Sequence, residues 1–169
     1  MATAQDDLFK VAIIGMAGRF PGAPSLQEYW KNLVGGVETV RHYADDELLR
    51  MGVSPEHLTD PNFVRAGAPI TNRDLFAASF FGYSPREAEL MDPQHRIFLE
   101  CSWEALENAG YAPRSMKAET GVFAGTSLSS YMLFNLLDNP AVNTQEDAFQ
   151  VMIGNDKDFL STRDRKSVV

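Results

Sequence analysis

Cys101 is the single thiol in these 169 residues, and its setting does not activate it. A nucleophilic thiolate needs a helix N-terminus or a cationic neighbour to lower its pKa. Cys101 instead lies between Glu100 and Ser102, in the middle of a helical pattern, and reads as a structural cysteine. His42, His57 and His95 are scattered, without the paired spacing of a metal site. His95 falls at the third position of a helix and is expected to pack and hydrogen-bond rather than act as a base. Asp45, Asp46 and Glu47 read as a solvated helix start. Ser127 follows Gly125-Thr126, which is not the G-x-S-x-G turn of a nucleophile elbow. Gly15, Gly18 and Gly22 follow an apolar run, with Pro21 among them. Their spacing is neither G-x-G-x-x-G nor a P-loop ending in G-K-[ST]. A small nucleotide-binding protein therefore lacks its phosphate loop, and the glycines are expected to form a tight strand-to-helix turn.

The stretch that positions most of these residues runs from Ser84 to Tyr111. Ser84 can cap, Pro85 suits a first helical position, and Glu87 three residues on completes a capping box. Asp92 and Pro93 then start a second, longer helix, because proline lacks an N–H that the first turn leaves orphaned anyway. Along it Arg96, Glu100, Glu104, Glu107 and Asn108 fall on one narrow polar stripe. Ile97, Phe98, Leu99, Trp103 and Leu106 cover much of the remaining circumference, so the helix is expected to be largely buried. Cys101, Ala105 and Ala109 form a line of small side chains where another backbone can approach. Gly110 supplies the left-handed stop.

Around this stretch the pattern alternates. Val11–Met16 and Gly121–Gly125 are short apolar runs, expected as strands buried on both faces. A capping box at Ser25–Glu28 opens a helix whose inward face is Leu26, Tyr29, Trp30, Leu33 and Val34, closed by Gly35-Gly36. Residues 37–83 are less regular, with short helices expected at 45–49 and after Ser54-Pro55. Pro61, Gly67, Pro69 and Gly82 break that region into turns. Ser127–Leu137 and Thr144–Ile153 read as helices, and Asn155 as the cap of a last turn through Phe159 and Leu160. Strands alternating with helices make the class α/β.

Composition excludes several alternatives. A net charge of −8 is the opposite of a nucleic-acid footprint. No apolar run approaches the ~20 residues that span a bilayer. MATAQDDLFK has no basic n-region followed by an apolar core, so no signal peptide is read. One cysteine makes no internal disulfide, which fits a reducing compartment, and the cytoplasm is the default.

Several motifs together carry a resemblance. VAIIGMAGRFPGA at 11–23, FFGYSPREAELMDPQHR at 80–96 running into E-x-x-W-E-A-L-E-x-A-G-Y, TGVFAGTS at 120–127 and GNDKDFLSTR at 154–163 occur in one order. That order resembles the N-terminal part of a β-ketoacyl synthase, specifically the ketosynthase domain of a modular type I polyketide synthase. The resemblance covers residues 10–163, after a leader at 1–9. It departs at Ala77, where the family commonly has an aspartate. It ends at Asp164–Val169, whose charged residues do not fit the hydrophobic strand that the family continues with; residues 164–169 are read as a non-native tail.

The resemblance implies an incomplete N-terminal half of a thiolase-like fold. It implies a parent enzyme that takes an acyl chain from a carrier protein and condenses it with a decarboxylated malonyl-type extender. The substrates would be phosphopantetheine-bound on acyl carrier protein, and the parent would be a homodimer, with no cofactor in this chain and no nucleic acid or membrane partner. The family's nucleophilic cysteine and its histidines come after the matched motifs, so no catalytic residue is assigned here. Met152, Gly154 and Asn155 match a segment that helps to shape the family's acyl tunnel near its dimer interface. The alternative reading is a non-catalytic dimerising or scaffold protein with the same half-fold.

Overall fold

The computed structural model describes residues 10–113 and 119–168. They divide into two compact units, Gly18–Asn72 and a second one made of the chain up to Ala17 and from Arg73 onward.

In the Gly18–Asn72 unit, helix α1 (Leu26–Gly35) starts and stops where the sequence predicts. Ser25 Oγ accepts the Glu28 N–H at 3.3 Å and donates back to the Glu28 carboxylate at 3.1 Å. Gly36 takes φ 61°, and Val37 N–H reaches back to the Asn32 carbonyl at 2.9 Å. The expected inward face is not buried: Trp30 is 66% exposed, and Leu33 and Val34 are exposed as well. Amphipathicity shows which face a helix can bury, and no described element lies over this one; Tyr29 alone finds a ring, stacking on Phe20 at 4.2 Å. Gly22, at φ 66° and pressed against Thr39, makes the tight turn before α1. Strand β1 (Arg41–His42) pairs antiparallel with β2 (Ala66–Gly67), in register Arg41↔Gly67. Between them lie α2 (Asp45–Arg50) and α3 (Pro55–Thr59), the latter capped by Ser54.

The other unit is built on α4 (Pro85–Leu90) and α5 (Pro93–Asn108). The Ser84–Glu87 capping box is complete, with Glu87 N–H donating to Ser84 Oγ at 3.2 Å and Ser84 N–H to the Glu87 carboxylate at 2.8 Å. Asp92 caps α5 through the Gln94 N–H at 2.7 Å. At the far end Gly110 has φ 81°, and Tyr111 N–H donates to the Leu106 carbonyl, closing the left-handed stop. Leu99 is fully buried in a cluster with Phe81, Met91 and Val168, against which Trp103 and Leu106 pack. A second cluster joins Leu90, Leu136 and Val151. The polar stripe is not uniformly solvated: Arg96 is buried, whereas Glu107 and Asn108 are exposed.

Helix α6 (Gln145–Asn155) is followed by a 3₁₀ turn at Lys157–Phe159 and by α7 (Leu160–Ser167). Asp156, not Asn155, caps that turn, accepting the Asp158 N–H at 2.9 Å. The helix expected from Ser127 begins at Ser130, because Ser129 Oγ takes the Met132 N–H at 3.1 Å as an N-cap does. It widens to a π-turn over Met132–Leu136.

The two predicted buried strands are absent among the described residues. Residues 11–16 and 121–125 carry no ladder, and Val11 and Phe123 are 93% and 96% exposed. A strand satisfies its N–H and C=O groups on a neighbour, and no described strand runs beside either segment. Instead the first segment lies on α5. Met16 N–H donates to Asn108 Oδ1 at 3.1 Å, and Gly15 meets the line of small residues at Ala105 and Ala109.

Candidate functional site

The three candidate residues, Met152, Gly154 and Asn155, lie on the last turns of α6, and the structure brings two of them to one pocket. Thr144 caps α6 through the Asp147 N–H at 3.0 Å. Asp147 then receives Arg86 of α4, Nε on Oδ1 and Nη2 on Oδ2, both at 3.0 Å. Arg86 also donates to the Ala141 carbonyl at 2.6 Å and to Glu89 at 2.9 Å. These partners hold the Asp147 carboxyl below the usual carboxylate range and push the Arg86 guanidinium up. The clamp fixes the start of α6 against α4.

Gly154 fixes its other end. A Cβ there would lie 3.1 Å from the Leu90 carbonyl oxygen and 3.3 Å from Met91 Cα. The Gly154 carbonyl accepts the Asp92 N–H at 3.1 Å, which ties α6 to the junction of α4 and α5. Asn155 is buried and fully engaged. Its Nδ2 donates to the Leu90 and Val151 carbonyls, each at 2.8 Å, and its Oδ1 accepts from Ser129 Oγ at 2.9 Å. A buried amide satisfied on three sides is a rigid strut.

Around this strut opens a pocket of about 500 Å³, lined by Leu128, Met132, Val151, Met152 and Asn155 among others. Met152 is 48% exposed, a flexible thioether at the mouth. Its size suits a small ligand, and its walls are mostly apolar with a few polar groups at Ser127, Ser129 and Asn155. Gly154 does not line it. Gln94, which no sequence motif singles out as a site residue, steadies one wall. Its Oε1 accepts from Thr126 Oγ1 at 2.7 Å and Ser127 Oγ at 3.0 Å, while its Nε2 donates to Asp92 at 3.2 Å. No periodicity marks a contact between positions so far apart in the chain.

Residues 9–163 match the model of the β-ketoacyl synthase N-terminal domain. The chain belongs to that family. A component of the phenolphthiocerol/phthiocerol polyketide synthase of Mycobacterium tuberculosis is 43% identical over 159 residues, which are 90% of this chain and 11% of that protein. Polyketide synthase PksN of Bacillus subtilis is 40% identical over 121 residues, 72% of this chain and 2% of that protein. Among solved structures, ketosynthase twelve of the bacillaene polyketide synthase of Bacillus amyloliquefaciens superposes with a TM-score of 0.72 at 32% identity, covering 91% of this chain and 27% of that one. An oxazolomycin ketosynthase domain of Streptomyces albus gives 0.69 at 28% identity, covering 92% and 26%. The fold is therefore the α/β thiolase-like fold of ketosynthases, and the chain spans about a quarter of those domains' length, in a helix-rich part.

The other chemistry-bearing side chains of this ketosynthase segment do not line that pocket. Cys101 is half-buried in the middle of α5, far from a helix N-terminus. His42 and His57 are exposed in the Gly18–Asn72 unit. Among the described residues no three His, Cys, Asp or Glu gather as metal ligands, and no helix is long and apolar enough to cross a membrane. His95 packs as expected but does not hydrogen-bond: it is fully buried with neither ring nitrogen partnered. Burial pushes its pKa down, against the opposing pull of Asp92 and Asp156 and with the help of Arg163.

Proposed function

We propose that these residues are the N-terminal part of a polyketide ketosynthase, and that the Met152–Asn155 pocket is a section of its acyl tunnel. The parent would load an acyl group from the phosphopantetheine arm of a carrier protein and condense it with a decarboxylated malonyl-type extender, working as a homodimer in the cytoplasm. The observation that carries the tunnel reading is the pocket itself: apolar walls closed by a rigid amide at Asn155 and a movable side chain at Met152. Gly154 contributes from behind, letting α6 sit against Leu90 and Met91. The residues described here supply walls, and the carbanion chemistry needs a thiolate and an oxyanion hole from elsewhere in the parent. The 169-residue chain itself is then inactive.

The test is a chain-length profile of a complete ketosynthase carrying these residues. Met152→Trp narrows the mouth, so loading of long acyl thioesters should fall at least about tenfold in kcat/KM while acetyl loading stays near wild type. Equal losses for short and long chains would remove Met152 from the tunnel.

A further inference from the structure

Arg96 is 7% exposed, yet among the described residues its guanidinium forms no hydrogen bond and no ion pair. Its Nε is sealed from solvent without an acceptor. The face of Tyr131, 5.5 Å away, is its one compensating contact, and a ring quadrupole offsets only a small part of the desolvation of a guanidinium. The nearby carboxylates are turned elsewhere. Asp92 accepts from Gln94 N–H and Nε2, and Glu89 is held by Arg86 at 2.9 Å. Arg96 lines a pocket of about 820 Å³, with Phe76, Tyr83, Pro85, Pro93 and Tyr131 among its walls. Asp74 shares that pocket and makes no ion pair with Arg96.

A largely buried, permanently charged group that cannot deprotonate is stabilised most by an anion placed against it. We propose that this pocket receives a carboxylate, an Asp or Glu side chain on a polypeptide segment with apolar flanks, and that Arg96 pairs with it. Three features favour a tethered carboxylate over a free ion. The cavity is far larger than an ion needs, and the rings and prolines in its otherwise mixed lining give apolar flanks a surface to cover. The net charge of −8 keeps free anions away, whereas a tether supplies a high effective concentration. Ketosynthases also extend well beyond the matched stretch, which covers 27% of one solved chain and 26% of another. The inference is independent of the acyl-tunnel reading, since the two pockets share no lining residue.

The sign of one substitution tests it in a complete ketosynthase carrying these residues. Removing an unpaired buried charge raises stability, whereas removing one member of a buried pair lowers it. Arg96→Met should therefore lower the thermal midpoint by at least about 4 °C, with Arg96→Lys falling between it and wild type. An unchanged or higher midpoint for Arg96→Met overturns the proposal. Sodium acetate, compared with an equal concentration of sodium chloride, should leave the wild-type midpoint unchanged. A rise with acetate that Arg96→Met lacks would overturn the tethered carboxylate and assign the pocket to a free anion. If the variants do not fold, the wild-type structure of the complete domain decides. A carboxylate oxygen within about 3.2 Å of Arg96 nitrogens is expected, and a guanidinium meeting only carbonyl groups overturns the pairing.

Discussion

A Cβ placed on Gly15 would lie 2.8 Å from the Cβ of Ala109 and 2.9 Å from its backbone nitrogen, and it would also collide with the Ala105 carbonyl. The N-terminal segment thus lies directly on the small-residue line of α5, and the Met16–Asn108 hydrogen bond fixes it there. In a complete ketosynthase, Gly15→Ala should destabilise by about 1–3 kcal/mol, because the obstacles are backbone and a β-carbon that cannot rotate away. Ala105→Phe should be at least as severe. Denaturant midpoints measure both, and a tolerated Gly15→Ala would show that the segment does not rest on α5.

The caps make a second prediction. Ser84→Ala removes the hydroxyl that holds the Glu87 N–H and should cost about 1 kcal/mol. Glu107→Ala, on the exposed end of the α5 stripe, should stay within about 0.5 kcal/mol of wild type. Equal effects in urea unfolding would contradict the capping geometry.

These caps are legible in the sequence because they are local. Ser84 and Glu87 are three residues apart, Asp92 precedes Pro93, Gly36 follows α1 directly, and Gly110 comes one residue after α5. What periodicity does not supply is which surface meets which. Arg96 has the same helical phase as Glu100 and Glu107, yet it is buried, with the ring of Tyr131, from a distant segment, 5.5 Å from its guanidinium. Ser127 reads as a helix start, but Gln94 binds its side chain and Ser129 makes the cap. Asn155 reads as a cap and is a strut, since Leu90 and Ser129 reach it from outside its own helix. Met152 and Asn155 emerge as a pair only because the family's motif places them together; nothing in their spacing marks a pocket.

His95 gives a prediction in pH. Its folded pKa is lowered, by burial before all else, so the unfolded chain binds a proton more readily than the native one. Above the unfolded value of about 6.5 both states are neutral and the group adds no pH dependence. As pH falls through that value only the unfolded state protonates, so stability declines until the folded pKa is reached. The urea midpoint should therefore drop as pH is lowered below about 6.5, and His95→Gln should flatten that part of the curve. An unchanged pH profile in His95→Gln would place the titration elsewhere.

The exposed segments predict the behaviour of the 169 residues expressed alone. Val11, Ile13 and Phe123 stand in solvent on backbone with no ladder partner, and such edges template association with other copies. Light scattering should detect concentration-dependent assemblies, and an apolar dye should brighten on binding. A monodisperse monomer with a cooperative unfolding transition would refute this.

The same 169 residues should neither accept an acyl group nor condense one. Acyl transfer in this family rests on a thiolate held at a helix N-terminus, where backbone N–H groups and the helix dipole favour the anion. The one cysteine present, Cys101, lies in the middle of α5, half-buried, with Glu100 before it. His95, although close in sequence, is fully buried, and its depressed pKa leaves it neutral and shut away from any substrate. Decarboxylation of a malonyl thioester should fail as well, since His95 is sealed from solvent and His42 and His57 are exposed on the surface of the Gly18–Asn72 unit. Mass spectrometry after incubation with an acyl-carrier thioester should show unmodified chain, identical to a Cys101→Ser control. A stable acyl adduct that the Cys101→Ser variant lacks would show that this thiol is reactive, and would overturn the assignment of Cys101 as structural.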